Sequence, residues 1–383
     1  MAFSHGPVAS LALAALLGVG VQALNVGRTT LSDYRDAAED YGSRSADAQC
    51  EEMEIETPCL RLLAFDRPAS LQRILTQLNK LDYGEDSGRV DLVISIDQPE
   101  DDASSVTWAN RQKSVEVAKA FSFSAGPKTV QERTKHEGLV NQWRNAWNPL
   151  LDNREACVIL EDDTLPSKYA WKWMKNALAA YRGYHHHFGS LAWQRPTLVA
   201  AATPDSKRRH EDFGSMPPET KGDPYLYKLF ATWGFVALRD SWTGFLVEMK
   251  AEFKARICPI VKHKGLPIMP TIYCQRTPGQ VWSIWYIAYM SRRQLFTLYA
   301  NLPSGTTLCS NFREPGLHSQ ARKPADFPVL EHATPADEDA LARFPPLRQL
   351  RVFDWDAHQI HVDPSAPNPK YRIACAETNT TKA

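Results

Sequence analysis

The chain has 383 residues, of which 43% are hydrophobic and 23% charged, a composition typical of a folded protein with one large domain or two smaller ones. Lysine plus arginine and aspartate plus glutamate number 44 each, so the formal net charge is zero. This balance gives no sign of a surface for a polyanion, and we expect no nucleic-acid partner.

The N-terminus carries an uncharged run from Val8 to Leu24 that is rich in leucine and alanine. It is short for a transmembrane helix of about 20 residues, so a cleaved signal peptide and a short type II anchor both stay open. In either case we expect the rest of the chain to enter the secretory lumen. Residues 25–57 are polar and weakly patterned, which predicts a stem between the membrane and a folded domain.

Seven cysteines suit an oxidising compartment. They form no CxxC pair and have no histidine spacing typical of structural zinc. Because their number is odd, at least one thiol is unpaired, and we expect this to be Cys157, which lies inside a predicted buried strand.

Alternating strands and helices begin at Leu60–Phe65, the first predicted strand. A helix follows to about Lys80, with Leu71, Ile74, Leu75 and Leu78 on one face, and Val90–Ile96 is the second strand. This order is typical of a βαβ unit. Later predicted elements are a helix over 108–119, a strand near Phe121, a helical stretch with Trp143 and Trp147, a strand over 156–160, a helix over 167–181, strands over 198–202 and 229–238, helices over 241–256 and 281–290, and a strand over 297–300.

Gly234 lies within one of these strands and suggests a close approach of substrate or backbone. Beyond residue 322 the sequence is rich in proline and irregular. We therefore predict an α/β fold with four regions: 1–24 signal anchor or signal peptide, 25–57 stem, 58–322 single catalytic domain, and 323–383 proline-rich tail.

Three acidic residues, Glu161, Asp162 and Asp163, directly follow the apolar strand Ala156–Leu160. Open α/β sheets bind ligands at the carboxyl ends of their strands. Adjacent carboxylates disfavour one another's ionisation, whereas a hard divalent cation takes oxygen ligands. The alternative to a metal site is a solvated acidic turn.

Four stretches resemble, in the same order, the GT-A class of nucleotide-sugar glycosyltransferases. The likeness is closest to the Golgi N-acetylglucosaminyltransferase that acts on the N-glycan core and to its relatives. The stretches are Ala64-Phe-Asp-Arg-Pro68, Val93-Ile-Ser-Ile-Asp97, Val158-Ile-Leu-Glu-Asp-Asp163 and Asn311-Phe-Arg-Glu-Pro-Gly-Leu-His318. The resemblance implies a Rossmann-like mixed sheet flanked by helices in the GT-A fold.

Carried over to this chain, the resemblance implies that Asp163 ligates Mn²⁺ or Mg²⁺. Glu161 and Asp162 would hold ribose hydroxyls or metal-bound water. Arg67 and Asp97 would hold the nucleoside of a UDP-linked donor. His318 would add a metal ligand or a phosphate contact, against the alternative of a surface-loop histidine.

The chain departs from this family at the predicted aromatic helix, where Trp282-Ser283-Ile284-Trp285 lacks both acids of the family's Trp-Asp-Asp-Trp pattern. An inverting transfer needs a base for the acceptor hydroxyl. Glu314 is our candidate base, followed by Glu248 and Glu252, and a salt-bridged loop residue is the alternative role for Glu314. Trp282 and Trp285 suit stacking on sugars, although core packing is the expected role of such a helix.

The sequence thus predicts a metal-dependent glycosyltransferase, inverting by likeness, that moves a GlcNAc-like sugar to a glycan or glycoprotein acceptor in the Golgi or ER lumen. It would be a type II membrane protein, or secreted if the signal is cleaved. A retaining hexosyltransferase of the same fold and a non-catalytic carbohydrate-binding protein stay open as alternatives.

Overall fold

A ten-stranded mixed sheet organises the molecule. The computed structural model describes residues 57–152, 154–182, 187–196, 222–312, 314 and 327–371, which belong to one unit. The predicted membrane run and all but the last residue of the predicted stem lie outside these ranges. Within them, no helix combines the length and apolarity that crossing a bilayer requires.

The strands and helices follow one another along the chain as β1 (Cys59–Ala64), α1 (Pro68–Leu78), β2 (Leu92–Ile96), α2 (Ser105–Ala120), β3 (Lys128–Glu132), α3 (Gly138–Arg144), β4 (Ala156–Glu161), β5 (Thr164–Pro166), α4 (Ala170–Ala180), β6 (Phe188–Ala192), β7 (Tyr225–Tyr227), β8 (Phe235–Leu238), α5 (Arg239–Glu248), α6 (Lys250–Ala255), β9 (Lys262–His263), β10 (Leu266–Pro267), α7 (Met269–Arg276), α8 (Ser283–Arg293), β11 (Phe296–Tyr299), β12 (Cys309–Asn311), α9 (Pro335–Ala342), β13 (Arg351–Phe353) and β14 (Gln359–Ile360).

The main sheet has the order β14-β13-β7-β11-β6-β8-β4-β1-β2-β3. Its β4-β1-β2-β3 part is wholly parallel, whereas β8 runs antiparallel to both β4 and β6. Strands buried on both faces read as continuous apolar runs, which is why β1 and β4 are recognisable in the sequence. The α/β fold class is thereby confirmed, and the parallel part brings the carboxyl ends of β1, β2 and β4 to one edge.

Helices cover both faces of the sheet. One core cluster packs α1 and α4 against residues such as Leu60 and Leu62 of β1. The other packs aromatic residues of α5 and α8 against Leu63 of the same strand. The predicted apolar face of α1 is confirmed, because Leu71, Ile74, Leu75 and Leu78 are all fully buried.

Three predicted elements differ from the structure. Only Phe235–Leu238 of the strand predicted over 229–238 forms β8, so Gly234 lies before this strand. The strand expected near Phe121 lies further along at Lys128–Glu132, because the Phe121 amide still bonds to the Val117 carbonyl and ends α2. The helix expected over 241–256 is divided at Met249 into α5 and α6. The strand predicted over 198–202 lies outside the described residues.

The close approach at Gly234 is made by side chains and not by the substrate or backbone that was expected. The φ of Gly234 is +72°, and a Cβ built there would lie 2.7 Å from Cβ of Trp193 and 2.8 Å from Cβ of Cys309. A larger residue would therefore be strained both by its conformation and by its neighbours.

The cysteine prediction is wrong. Cys157 is not a free thiol but forms a disulfide with Cys59, the residue directly opposite it in the β1–β4 register. A second disulfide joins Cys258 and Cys274, and the free cysteine of the described residues is the buried Cys309. Strand pairing decides this outcome, and the spacing of cysteines does not reveal it.

The proline-rich C-terminal segment carries more regular structure than its composition predicts. Helix α9 begins with a capping box between Thr334 and Asp337. Strand β13 then adds to the main sheet in parallel with β7. Residues 335–360 are therefore an integral part of the domain.

Candidate metal site

The acidic triplet lies at the carboxyl edge of the parallel strands, as predicted. Glu161 ends β4, and Asp162 and Asp163 form the turn into β5. The Asp162 amide donates to the Leu63 carbonyl of β1 at 3.0 Å, and the Thr164 hydroxyl donates to the Glu161 carbonyl at 2.8 Å. The turn is thus fixed to two strands before any side chain of the triplet is considered.

Arg67 lies directly against the two aspartates. It precedes the first residue of α1, where Pro68 provides a favourable helix start. Its guanidinium donates to Oδ1 of Asp162 and, at 3.1 Å, to Oδ2 of Asp163. Burial lowers the pKa of Arg67, but the charges of Asp162 and Asp163 more than offset this, so the pKa is raised and the side chain stays charged.

Glu161 points to a different partner. Its Oε1 accepts a hydrogen bond from the indole nitrogen of Trp143 at 2.9 Å. The Trp143 ring in turn stacks on Trp282 with 4.1 Å between ring centroids. Burial raises the pKa of Glu161 to about 8, the charge of Asp163 adds to the shift, and the hydrogen bond from Trp143 opposes it.

Asp162 and Asp163 present oxygen atoms that the protein leaves unused. Oδ2 of Asp162 and Oδ1 of Asp163 are buried and accept no hydrogen bond within the described part of the chain. Burial also raises the pKa of Asp162 to about 7, although the charge of Arg67 opposes the shift. Buried polar atoms normally have partners, and hard divalent cations bind carboxylate oxygen. The residues present therefore fit a Mn²⁺ or Mg²⁺ ion.

Asp97 also lies at this edge, at the end of β2, but its carboxylate is already engaged. Oδ1 accepts from the amides of Gln98 and Glu137 at 2.9 and 3.0 Å, and Oδ2 accepts from that of Gly138 at 2.9 Å. These bonds satisfy free amides at the start of α3. Asp97 thus holds α3 in place, and its predicted contact with the nucleoside stays a prediction.

His136 lies beside this cap. Its Nδ1 is 2.7 Å from the Gln98 carbonyl oxygen, and its ring meets that of Phe65 edge-on with 6.5 Å between centroids. His318, the histidine of the predicted donor site, lies outside the described residues.

Glu314 is held by Arg73 of α1. The guanidinium donates to Oε1 of Glu314 at 2.9 Å and also lies 3.8 Å above the centre of the Phe312 ring. The Phe312 amide donates to the Asp163 carbonyl at 2.8 Å, which joins this segment to the acidic turn. The arrangement matches the alternative role of a salt-bridged residue, and the role of Glu314 as a base stays a prediction.

The next two candidates for the base are engaged in other ion pairs. Glu248 pairs with Arg293 at 2.8 Å, and Glu252 pairs with Arg292 at 3.3 Å. Both glutamates therefore act in ion pairs between α5, α6 and α8.

We find no match to this chain among models of protein families or among curated proteins. Among solved structures it is similar to S. aureus TarS, with a TM-score of 0.30, 10% identity and coverage of 65% of this chain and 37% of that one. Mannosyltransferase PcManGT from Pyrobaculum calidifontis, solved with GDP-Man and Mn²⁺, gives a TM-score of 0.30 and 13% identity over 71% of this chain and 66% of that one. TarS 1–349 in complex with UDP-GlcNAc gives 0.29 and 11% over 66% and 60%.

The chain thus spans between 37% and 66% of the length of these structures. Similarity at this level shows neither the family nor the activity of the chain.

Trp282 and Trp285 occupy the core, as expected for an aromatic helix. Trp285 is fully buried and Trp282 is 4% exposed. The indole nitrogen of Trp285 donates to the Ile257 carbonyl at 2.9 Å. Ser283 and Ile284, which stand where the resembled family carries acids, begin α8 directly after the tryptophan that stacks on Trp143.

Sequence reasoning missed two residues of the site, Trp143 and Arg73. The sequence places Trp143 18 residues before Glu161 and Arg73 241 residues before Glu314. No local pattern connects residues so far apart, so only the fold reveals these contacts.

A second group with metal-ligand chemistry lies elsewhere, at His263, Asp354 and Asp356. Asp356 is 2.7 Å from Nε2 of His263 and also pairs with Lys264, while Asp354 accepts the amides of Asp356 and His358. These hydrogen bonds and ion pairs explain why the three side chains lie together without a metal ion.

Three histidines stand in a run at positions 185–187. Nε2 of His187 lies 3.1 Å from the Ala366 carbonyl oxygen, and the two preceding histidines lie outside the described residues.

Proposed function

We propose that the protein is a metal-dependent glycosyltransferase of the GT-A type that transfers a sugar from a nucleotide-sugar donor. The observation that carries the proposal is the pair of buried carboxylate oxygens on Asp162 and Asp163 that no group of the described residues satisfies. Their position at the carboxyl edge of parallel strands, where α/β proteins bind ligands, supports it further. The order of the four resembling stretches supports a UDP-linked donor with a GlcNAc-like sugar.

Asp163 is the proposed direct ligand of the cation, with Glu161 and Asp162 beside it. A bound Mn²⁺ or Mg²⁺ ion supplies positive charge against the diphosphate that leaves as the glycosidic bond breaks. Arg67 keeps both aspartates oriented before the donor arrives, and Trp143 does the same for Glu161. Such fixed groups cost no reorganisation during the reaction.

The proposed acceptor is a glycan or a glycoprotein. Its hydroxyl would be the nucleophile in this class of transfer. An inverting mechanism needs a base for the proton of that hydroxyl. Glu314 is the proposed base, and its Oε1 is engaged by Arg73 while it awaits that proton. We place the protein in the Golgi or ER lumen, where such acceptors and the predicted N-terminal run would both be found.

A donor-binding protein without turnover is the second candidate. Ser283 and Ile284 favour it, because neither side chain can accept a proton as a carboxylate does. The two candidates share the donor site, but only the transferase breaks the glycosidic bond of the donor once it is bound.

The experiment is a screen of nucleotide sugars with the purified full chain, in Mn²⁺ and in chelator. A glycosyltransferase should release nucleoside diphosphate from at least one donor, slowly to water and faster with an acceptor glycan. Metal-dependent binding of a donor without any release would favour the second candidate. No metal-dependent binding of any donor would contradict both.

A further inference from the structure

The neutral net charge of the chain hides a strong local asymmetry. Residues 253–313 contain no aspartate or glutamate, whereas the chain as a whole has 44. The same stretch carries eight basic residues: Lys254, Arg256, Lys262, Lys264, Arg276, Arg292, Arg293 and Arg313. An acid-free stretch of this length points to a surface with an anionic partner.

Some of these cations are accounted for within the fold. Arg292 and Arg293 pair with glutamates of α5 and α6, and Lys264 pairs with Asp356. Four others, Lys254, Arg256, Lys262 and Arg276, are exposed and lie in no ion pair with the described residues. All four belong to the 254–276 segment, which runs from the end of α6 to the end of α7.

The 254–276 segment is a fixed structure and not a loose loop. The Cys258–Cys274 disulfide closes it, with 5.9 Å between the two Cα atoms. Inside the closed segment the Ile268 amide donates to the Val261 carbonyl at 3.0 Å, and the Val261 amide donates to the Thr271 hydroxyl at 3.1 Å. The backbone that carries the charged side chains is therefore held in place.

The apolar residues of the segment divide into two sets. Val261, Ile268 and Cys274 are buried in the core, so the segment is already anchored to the domain. A second set points outward, although exposure of such large apolar side chains is unfavourable. Its members are Ile257, 59% exposed; Ile260, 60%; Leu266, 47%; and Tyr273, 48%.

These outward residues lie among the unpaired cations. Ile257 lies between Arg256 and Cys258, and Tyr273 precedes Cys274, to which Cys258 is bonded. Leu266 is opposite His263 in the β9–β10 hairpin, beside Lys262. Exposed aliphatic and aromatic side chains interspersed with lysine and arginine are typical of surfaces that lie in the headgroup region of a membrane.

We propose that the 254–276 segment binds the surface of an anionic lipid bilayer. The cations would contact acidic headgroups, and Ile257, Ile260, Leu266 and Tyr273 would enter the interface. An acidic protein or glycan would match the positive charges of the segment. It would not explain why four large apolar side chains are exposed there. The proposal depends neither on the glycosyltransferase function nor on the proposed location in the Golgi or ER lumen.

The test is partition of the purified full chain onto vesicles of phosphatidylcholine alone or mixed with phosphatidylserine. The ratio of the two partition coefficients is the readout, because the N-terminal run contributes equally to both. Each basic residue near an anionic surface changes the partition by about fivefold, so K262Q/R276Q should lower the ratio by about 25-fold. The matched control K80Q/K113Q removes two exposed lysines from elsewhere and should leave the ratio unchanged.

A second pair of variants tests the apolar contribution. I260S/Y273S should weaken partition onto mixed vesicles, whereas V106S/L151S, at exposed apolar positions of another region, should not. All of these positions are exposed, and thermal unfolding should confirm that the variants fold. Equal partition onto both vesicle types would overturn the proposal. A ratio that is the same for K262Q/R276Q and for the wild-type protein would also overturn it. If that variant lost only transfer to a soluble acidic acceptor, the segment would bind the acceptor and not the bilayer.

Discussion

Replacement of Glu161 by glutamine should change how stability depends on pH. Glutamine keeps the shape of the side chain and an oxygen that can accept the hydrogen bond from Trp143, but it removes the charge. Burial raises the pKa of Glu161 to about 8 from a usual value of 4.5. In chelator, the folded protein therefore retains a proton between these pH values that the unfolded chain has released.

The direction of the effect is set by proton linkage. Between about pH 4.5 and pH 8 the folded state binds more protons than the unfolded state, so the stability of the wild-type protein falls as pH rises. The contribution of Glu161 is about 1.4 kcal/mol per pH unit, or about 3 kcal/mol from pH 5 to pH 7.5. The E161Q variant lacks this contribution and should become the more stable protein as pH rises.

Urea unfolding of both proteins in chelator, at several pH values across this range, measures the difference directly. Unfolding free energies that change in parallel with pH would refute the assignment of a buried, proton-retaining Glu161. Mn²⁺ should reduce the difference at high pH by stabilising the ionised triplet of the wild-type protein.

Two further variants separate catalytic from structural roles. E314Q should lower transfer by at least about 100-fold at unchanged donor affinity if Glu314 is the general base; unchanged steady-state transfer would leave it as the salt-bridge partner of Arg73. D97N removes one of the acceptors at the start of α3 and should cost about 1–3 kcal/mol in the unfolding free energy. An unchanged unfolding free energy would contradict the role of Asp97 in holding α3.

Local sequence patterns were sufficient to predict three of the four parallel strands, β1, β2 and β4. Strand β4 is a short apolar run between Glu155 and Glu161, and β1 is apolar apart from Arg61. Helix α1 shows a helical period of leucine and isoleucine. Because parallel strands end at the same edge, Arg67 lies near the acidic triplet, although it was predicted only to hold the nucleoside. Arg67 contacts both aspartates because it follows β1 and they follow β4 at the same edge of the sheet.

Contacts between distant parts of the chain could not be predicted in this way. The Cys59–Cys157 disulfide depends on the register of β1 and β4, and the support of Glu161 by Trp143 depends on how α3 packs. Strand β13 joins the sheet although its surroundings are rich in proline. In each case the deciding interaction is a pairing, which hydrophobic periodicity does not encode.

Metal-dependent donor binding by the D163N variant tests the central claim most directly. Asparagine nearly preserves the size of the side chain but removes the charge proposed to ligate the cation. Calorimetric titration of the full chain with Mn²⁺, followed by UDP, should show that the wild-type protein binds UDP tightly only with the ion and that D163N loses this dependence. Equal affinity of D163N and wild type for UDP at saturating Mn²⁺ would contradict the assignment of the acidic triplet as the metal site.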